Sequence, residues 1–228
     1  MSGLTRSKLL TMLVMQNKMN AKVNEEWLTA GYPWLRAVVV EGSEALEHYG
    51  WKWWKKQTPD MSQFKIELVD IWHFALSHTL VQRRGSISDA ASSILEQLDG
   101  AAGQVSHAGN TRTFRSMGLL DMIELMISMA ANRQFSFPLF AAIMDLVCMN
   151  WDDLLIGYVS KNVLNFFRQD NGYKAGTYVK YWFGEEDNVV LARIVKEMDI
   201  TSTTFADDLY GKLVVVYADV LAVEAPPV

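Results

Sequence analysis

Residues Trp34–Ser77 read WLRAVVVEGSEALEHYGWKWWKKQTPDMSQFKIELVDIWHFALS. Apolar residues recur through this stretch at helical spacing, and its breaks are sharp. Pro33, just before it, suits the first position of a helix, where its missing N–H leaves nothing unpaired. The spacing predicts a helix from Trp34 to about His48, ended by Gly50. Thr58-Pro59-Asp60 is a second break, and Asp60 is placed to cap a further helix reaching about Gln82. Two helices joined by a short connection favour antiparallel packing.

Each of these helices carries a pair of acids. Glu41 and Glu44 are three apart, so they share a face, with Trp34, Ala37, Ala45 and His48 for neighbours. Glu67 and Asp70 repeat the spacing beside Gln63 and Phe74. Acids on a solvated helix normally sit opposite the apolar stripe, whereas these border it. If the two faces meet, four carboxylates converge, and their repulsion calls for cations. Oxygen-only donors suit Mg²⁺, with Mn²⁺ as a substitute, and both ions bind phosphate oxygens. Two other readings stand beside this one. The acids can belong to solvated faces, or Glu44, Glu67, Asp70 and His73 can be part of a ferritin-like di-iron site. The latter needs two His motifs, and only His73 is well placed.

The rest of the chain reads as further helices. Leu4–Asn20, Gly118–Asn132, Phe137–Asn150, Trp151–Phe167, Glu185–Met198 and Thr204–Val223 all have helical patterning, although Leu213–Tyr217 (LVVVY) also fits a strand. Gly85–Ser116 is rich in Ser, Gly and Ala, with a short helix at Asp89–Leu98, and is expected to be the most mobile stretch. Asp170–Gly184 reads as a structured loop, and Glu224–Val228 as a loose tail with two Pro. The expectation is one all-α domain over 228 residues without internal repeats.

Composition narrows the function classes. Half of the residues are hydrophobic and 21% charged, enough for a real core. The net charge of −5 and the local grouping of bases (Lys52, Lys55, Lys56; Lys174, Lys180) argue against long nucleic acid as a partner. The single cysteine, Cys148, cannot form an internal disulfide; inside the apolar run Ala141–Met149 it reads as a small buried residue. Met1–Gln16 lacks the pattern of a signal peptide, and no apolar run is long enough for a membrane span. These features predict a reduced, cytoplasmic protein.

Three polar groupings add to the acids. Gly50–Lys56 interleaves Trp51, Trp53 and Trp54 with lysines, which suits base stacking and phosphate neutralisation or the packing of a helix corner. Tyr158, Lys161, Asn165 and Arg168 fall on one helix face and offer mixed donors to a polyanion; a solvated face explains the charges almost as well. Gln16 and Asn20, four apart, carry donors and acceptors that can read a pyrimidine edge, though a polar face is the default for two amides.

Taken together, these stretches resemble the dimeric, all-α dUTPase family. The resemblance rests on Trp34–Ser77 with its EGSE and IELVD, on Lys161–Asn188 (KNVLNFFRQDNGYKAGTYVKYWFGEEDN), and on QNKMN at Gln16–Asn20, about a third of the chain in the family's order. It implies a helical fold of the all-α NTP pyrophosphatase type, a homodimer, and Mg²⁺-dependent hydrolysis of dUTP, and of dUDP, to dUMP, which limits uracil incorporation into DNA. By position it implies Glu41, Glu44, Glu67 and Asp70 as metal ligands, with Glu41 polarising the attacking water. Gln16, Asn20, Trp54 and His73 match positions for base and deoxyribose. Lys161, Asn165, Arg168, Tyr173, Lys174 and Lys180 match later substrate motifs, and Asp187 and Asn188 lie in the EEDN motif. The resemblance further implies attack at the β-phosphorus. Rejection of dTTP would come from a lack of room at uracil C5, and rejection of UTP from a group packed under the 2′ position. Residues 85–135 match no motif. Hydrolysis of another nucleotide such as dCTP, and a helical interaction protein without activity, remain as alternatives.

Overall fold

The computed structural model describes residues 3–100 and 103–224; the tail predicted to be loose lies outside them, apart from Glu224. Among the described residues the chain forms α1 (Arg6–Val23), α2 (Trp34–Tyr49), α3 (Met61–Gln82), α4 (Ile87–Asp99), a hairpin of β1 (Gln104–His107) and β2 (Asn110–Thr113), a 3-10 turn at Phe114–Ser116, α5 (Leu119–Ala131), α6 (Phe137–Leu146), α7 (Trp151–Asp170), the short strand pair β3 (Tyr181–Trp182) and β4 (Glu185–Glu186), α8 (Asp187–Lys196) and α9 (Phe205–Glu224). The fold is all-α, with two small antiparallel strand pairs attached.

Local chemistry sets the helix that carries the second acid pair. The Asp60 side chain accepts from the backbone N–H groups of Ser62 and Gln63, which caps α3. Gly50, at φ 87°, ends α2 with its N–H on the Leu46 carbonyl. The Asp60 N–H then donates to the His48 carbonyl at 2.8 Å, so the end of α2 meets the start of α3 and the two lie as antiparallel neighbours. Gly42, between the first two acids, is buried against α5. A Cβ there would stand 2.7 Å from Ile127 Cγ1, so the glycine permits the close approach that seats α2.

Among the described residues, the buried apolar side chains form two clusters. The larger gathers α1 to α6 and the first half of α7, around Trp72, Phe64, Phe140 and Leu13. The smaller joins the second half of α7 (Val163, Leu164, Phe167) to Trp182, α8 and α9. α7 runs through both, and Lys161, between them, reaches Asp70 on α3.

Several predicted elements change. The Gly85–Ser116 segment contains α4 and a hairpin that no apolar alternation announced. Its two-residue turn, Ala108 at φ 49° and Gly109 at φ 77°, has the I′ form that matches strand twist. α6 stops at Leu146 rather than at Asn150, because Cys148 takes a left-handed backbone at φ 50°. Cys148 is exposed, which corrects the reading of it as a buried apolar residue. Glu185 and Glu186 pair with β3, so α8 begins at Asp187. Leu213–Tyr217 is helical, inside α9. No helix among the described residues is long and apolar enough to cross a membrane.

Candidate active site

Three of the four acids come together. Glu41, Glu67 and Asp70 each place a carboxylate oxygen within 4.8 Å of the others. Glu44, one turn further along α2, is exposed and stands at the rim of the same cavity. His48, at the end of α2, brings Nε2 to 3.3 Å from Glu67 Oε1. Burial, with Asp70 and Glu44 nearby, pushes the Glu41 carboxyl up to about 7. Burial, with Asp70 and Glu41, pushes Glu67 up to about 8. Without a cation the protein therefore holds protons on these groups near neutral pH. Among the described residues the one ammonium in direct contact is that of Lys161, whose Nζ donates to Asp70 Oδ2 at 2.7 Å. An oxygen-only set that is short of positive charge fits a hard divalent cation. His73 takes no place in this group, which leaves the di-iron reading without its nitrogen ligand.

A cavity of about 450 Å³ lies over the acids. Lys161, Arg168, Tyr173, Lys180 and Asn188 form its other wall. The cations are held in place rather than left to swing. Asn188 Oδ1 accepts from Lys161 Nζ at 2.9 Å and from Arg168 Nη2 at 3.3 Å, while Asn165 Oδ1 accepts from Arg168 Nη1 at 3.2 Å. The Arg168 guanidinium lies 5.6 Å from the centre of the Tyr173 ring. Lys180 is more loosely placed, 3.4 Å from Glu186. Asp187 does not border the cavity. It is fully buried and accepts from Arg168 Nε and Nη2, and from the Tyr178 hydroxyl at 2.8 Å. It holds Arg168 in place; Tyr178, its second donor, is not among the residues expected from sequence.

A second cavity of about 300 Å³ joins the first, sharing Asp70, Arg168 and Tyr173 in its wall. Gln16, Asn20, His73, Asn165 and Gln169 add uncharged polar surface, and Tyr32, Trp34 and Phe74 supply rings. Gln16 Oε1 faces His73 Nδ1 at 2.7 Å and accepts from the Tyr158 hydroxyl at 2.8 Å. Tyr158 is fully buried and stacks on His73 with centroids 4.1 Å apart. It thus supports the cavity from beneath rather than lining it. Burial pushes His73 down to about 4, so its ring is neutral at pH 7. Two buried polar atoms on residues that line this cavity, Trp34 Nε1 and His73 Nε2, have no partner among the described residues. Such atoms are costly to leave unpaired, and they point to a ligand or water. Tyr32 and Trp34 escaped the sequence reading as ligand-facing residues because rings at helix ends look like packing.

Two expected residues lie elsewhere. Trp54 is more than half exposed on the corner after α2, edge-on to Trp51 and Trp53 with centroids 5.2 and 5.4 Å away, and borders neither cavity. Lys174 donates to the Val23 carbonyl at 2.8 Å, where it ties the loop after α7 to the end of α1.

The joined cavities thus offer acids and cations at one end, and neutral amides and rings at the other. That suits a molecule with an anionic end and a flat, hydrogen-bonding end. A comparison with curated proteins gives no match. A family model described as dUTPase matches residues 8–173, from α1 to the start of the loop after α7, and so takes in all four acids, the amides and Arg168. The matched span is well over half of the chain, and the chain therefore belongs to the all-α dUTPase family and is a dUTP diphosphatase.

Proposed function

We propose that this enzyme converts dUTP, and also dUDP, to dUMP in the presence of Mg²⁺, and so limits the uracil available to DNA synthesis. The observation that carries the reading is the sharing of Asp70, Arg168 and Tyr173 by the acidic cavity and the amide-lined one. A nucleotide laid across that seam has its phosphates over the carboxylates and its base between Gln16, Asn20 and Trp34. Glu41, Glu67 and Asp70, with Glu44 at the rim, would hold the Mg²⁺, and Mn²⁺ suits the same donors. When bound, the ion would neutralise phosphate oxygens and acidify a water.

The protein's own groups do the rest. Glu41 orients the attacking water and takes its proton on a carboxylate oxygen. The water oxygen forms a bond to the β-phosphorus. The bond from that phosphorus to the oxygen bridging it to the α-phosphate breaks, and the electron pair leaves with dUMP. Lys161, Arg168 and Lys180 offset the charge that develops, with Asn165 and Asn188 fixing the first two. Gln16, Asn20 and His73 meet the base and deoxyribose. Trp54 and Lys174 have no role in this scheme.

The working unit in this proposal is a homodimer in the cytoplasm. α9 leaves Val214, Val215 and Val223 exposed, and α2 leaves Val40; a second copy would cover such apolar surface. Light scattering at micromolar concentration tests it, with a monomer as the contrary result. The chemistry is tested by turnover in ¹⁸O-labelled water. The scheme expects the label in pyrophosphate from dUTP and in phosphate from dUDP; label in dUMP contradicts it.

A further inference from the structure

Gln16, Asn20, His73 and Ser77 form a closed circuit of hydrogen bonds, and its direction can be worked out. The Ser77 hydroxyl lies 3.0 Å from the carbonyl oxygen of His73, one helical turn back on α3. A carbonyl can only accept, so Ser77 donates its one proton there, a bond that serines within helices commonly make. The Ser77 oxygen must then accept from Asn20, 2.9 Å away, which places the Asn20 amide nitrogen toward Ser77. Asn20 Oδ1 consequently faces Gln16 and accepts from Gln16 Nε2 at 2.9 Å. Gln16 Oε1 is left to face His73 Nδ1 at 2.7 Å, so Nδ1 carries the imidazole proton and Nε2 keeps a lone pair. The Tyr158 hydroxyl, 2.8 Å from Gln16 Oε1, donates in the same sense and is shared with the Met12 carbonyl at 2.9 Å. All four members of the circuit are more than nine-tenths buried, and His73 Nε2 has no partner among the described residues.

Reversing the two amides would set the Ser77 oxygen against Asn20 Oδ1, and Ser77 would have to abandon either that oxygen or the His73 carbonyl. Ser77, which borders neither cavity, is therefore the stop that prevents the flip. Gln16 and Asn20 each keep a second amide N–H, and Asn20 Oδ1 and His73 Nε2 each keep a lone pair; all three residues line the amide-lined cavity. A uracil edge presents acceptor, donor, acceptor. A cytosine edge presents donor, acceptor, acceptor, which the frozen amides meet with like against like at two of the three positions. A site whose buried polar groups are left unpaired by the wrong ligand rejects it strongly.

We infer that Ser77 is a specificity-positioning residue: by fixing the direction of this circuit it sets the enzyme's preference for a uracil edge over a cytosine edge. The inference rests on the reading of the amide-lined cavity as the base site. Two measurements test it. In ¹⁵N-histidine-labelled protein, with His73 assigned by loss of its signals in His73→Gln, the proton is expected on Nδ1, with Nε2 pyridine-like. In Ser77→Ala the amides are free to turn, and the ratio of kcat/KM for dUTP over dCTP is expected to fall by about tenfold or more, the size of one misplaced hydrogen bond. A proton on His73 Nε2 in a protein that hydrolyses dUTP overturns the circuit while leaving the base site in place. An unchanged ratio in Ser77→Ala overturns the role of Ser77. If Gln16→Ala and Asn20→Ala both leave KM for dUTP as in the unaltered enzyme, the base-site reading itself fails and the selectivity claim falls with it.

Discussion

Asp187 grips Arg168 with both carboxylate oxygens, at 2.8 Å to Nε and 2.7 Å to Nη2, and is itself fully buried. The pair joins the start of α8 to the end of α7 across the loop between them. Removing the charge from one partner leaves the other buried without compensation, a change that costs about 3–5 kcal/mol in comparable pairs. Asp187→Asn is expected to lose stability of that order in urea unfolding, and to raise KM for dUTP because Arg168 is no longer aimed. A variant unchanged in both would remove Asp187 from the site's support.

Glu41 gives a cleaner separation of chemistry from folding. Glu41→Gln keeps the volume of the side chain and removes the base, so turnover of dUTP is expected to fall by about 10²–10⁴. The metal-free fold should be as stable as the parent or more so at pH 8, since one of the crowded carboxylates has gone. Steady-state kinetics beside a thermal melt checks both halves. Asp70→Asn is expected to lose turnover on a similar scale.

The acid cluster also makes stability depend on pH in a direction that can be stated. Glu41 and Glu67 have folded values of about 7 and about 8 against an ordinary 4.5. Folding thus favours their protonated forms; the resulting stability is complete below 4.5 and is lost as pH rises through 7 and 8. His73 acts oppositely, with a folded value of about 4 against 6.5, so its contribution is present above 6.5 and is lost as pH falls toward 4. Between pH 6.5 and 8 only the carboxylates matter. The melting temperature in EDTA is expected to drop across that window, and Mg²⁺ to suppress the drop by taking the place of the protons. A flat profile in EDTA would contradict the crowding.

Lys161 should pull binding and turnover apart. Its ammonium sits 2.7 Å from Asp70 Oδ2, where it competes with a cation, and it also lines the acidic cavity. In Lys161→Met, Mg²⁺ is expected to bind the nucleotide-free protein more tightly by calorimetry. Turnover is expected to fall by about 10²–10³, as when one charge-stabilising donor is removed. Loss of both would mean that Lys161 shapes the metal site instead of opposing it.

What the sequence revealed depends on spacing. Glu41 with Glu44, and Glu67 with Asp70, were legible because residues three apart on a helix share a face, and the joint of α2 to α3 was legible from Gly50 and Asp60. The limit of the same rule appears at Glu44: a shared face is broad, and one turn along it carries a side chain from the cluster to the rim. Arg168 was readable as a cation on the right face. Its partner Asp187 was not, because nothing local records which residue returns across a loop. The hairpin at Gln104–Thr113 was illegible for a related reason, since both strands are polar and its turn depends on backbone angles at Ala108 and Gly109. Cys148 misled because an apolar run continues past the point where the chain turns left-handed. The base-site roles proposed for Gln16, Asn20 and His73 rest on the resemblance, although the two amides at i, i+4 already offered donors and acceptors to a pyrimidine edge. Ser77, a single small polar residue in a buried helix, carries no sequence signal of its own.

The most direct test of the whole account is pyrophosphate release by the purified protein from dUTP, dTTP, dCTP and UTP, each with Mg²⁺ and then with EDTA. The account predicts rapid release from dUTP alone, abolished by EDTA and restored by Mg²⁺. Release that persists in EDTA, or that is as fast from dCTP as from dUTP, would contradict it.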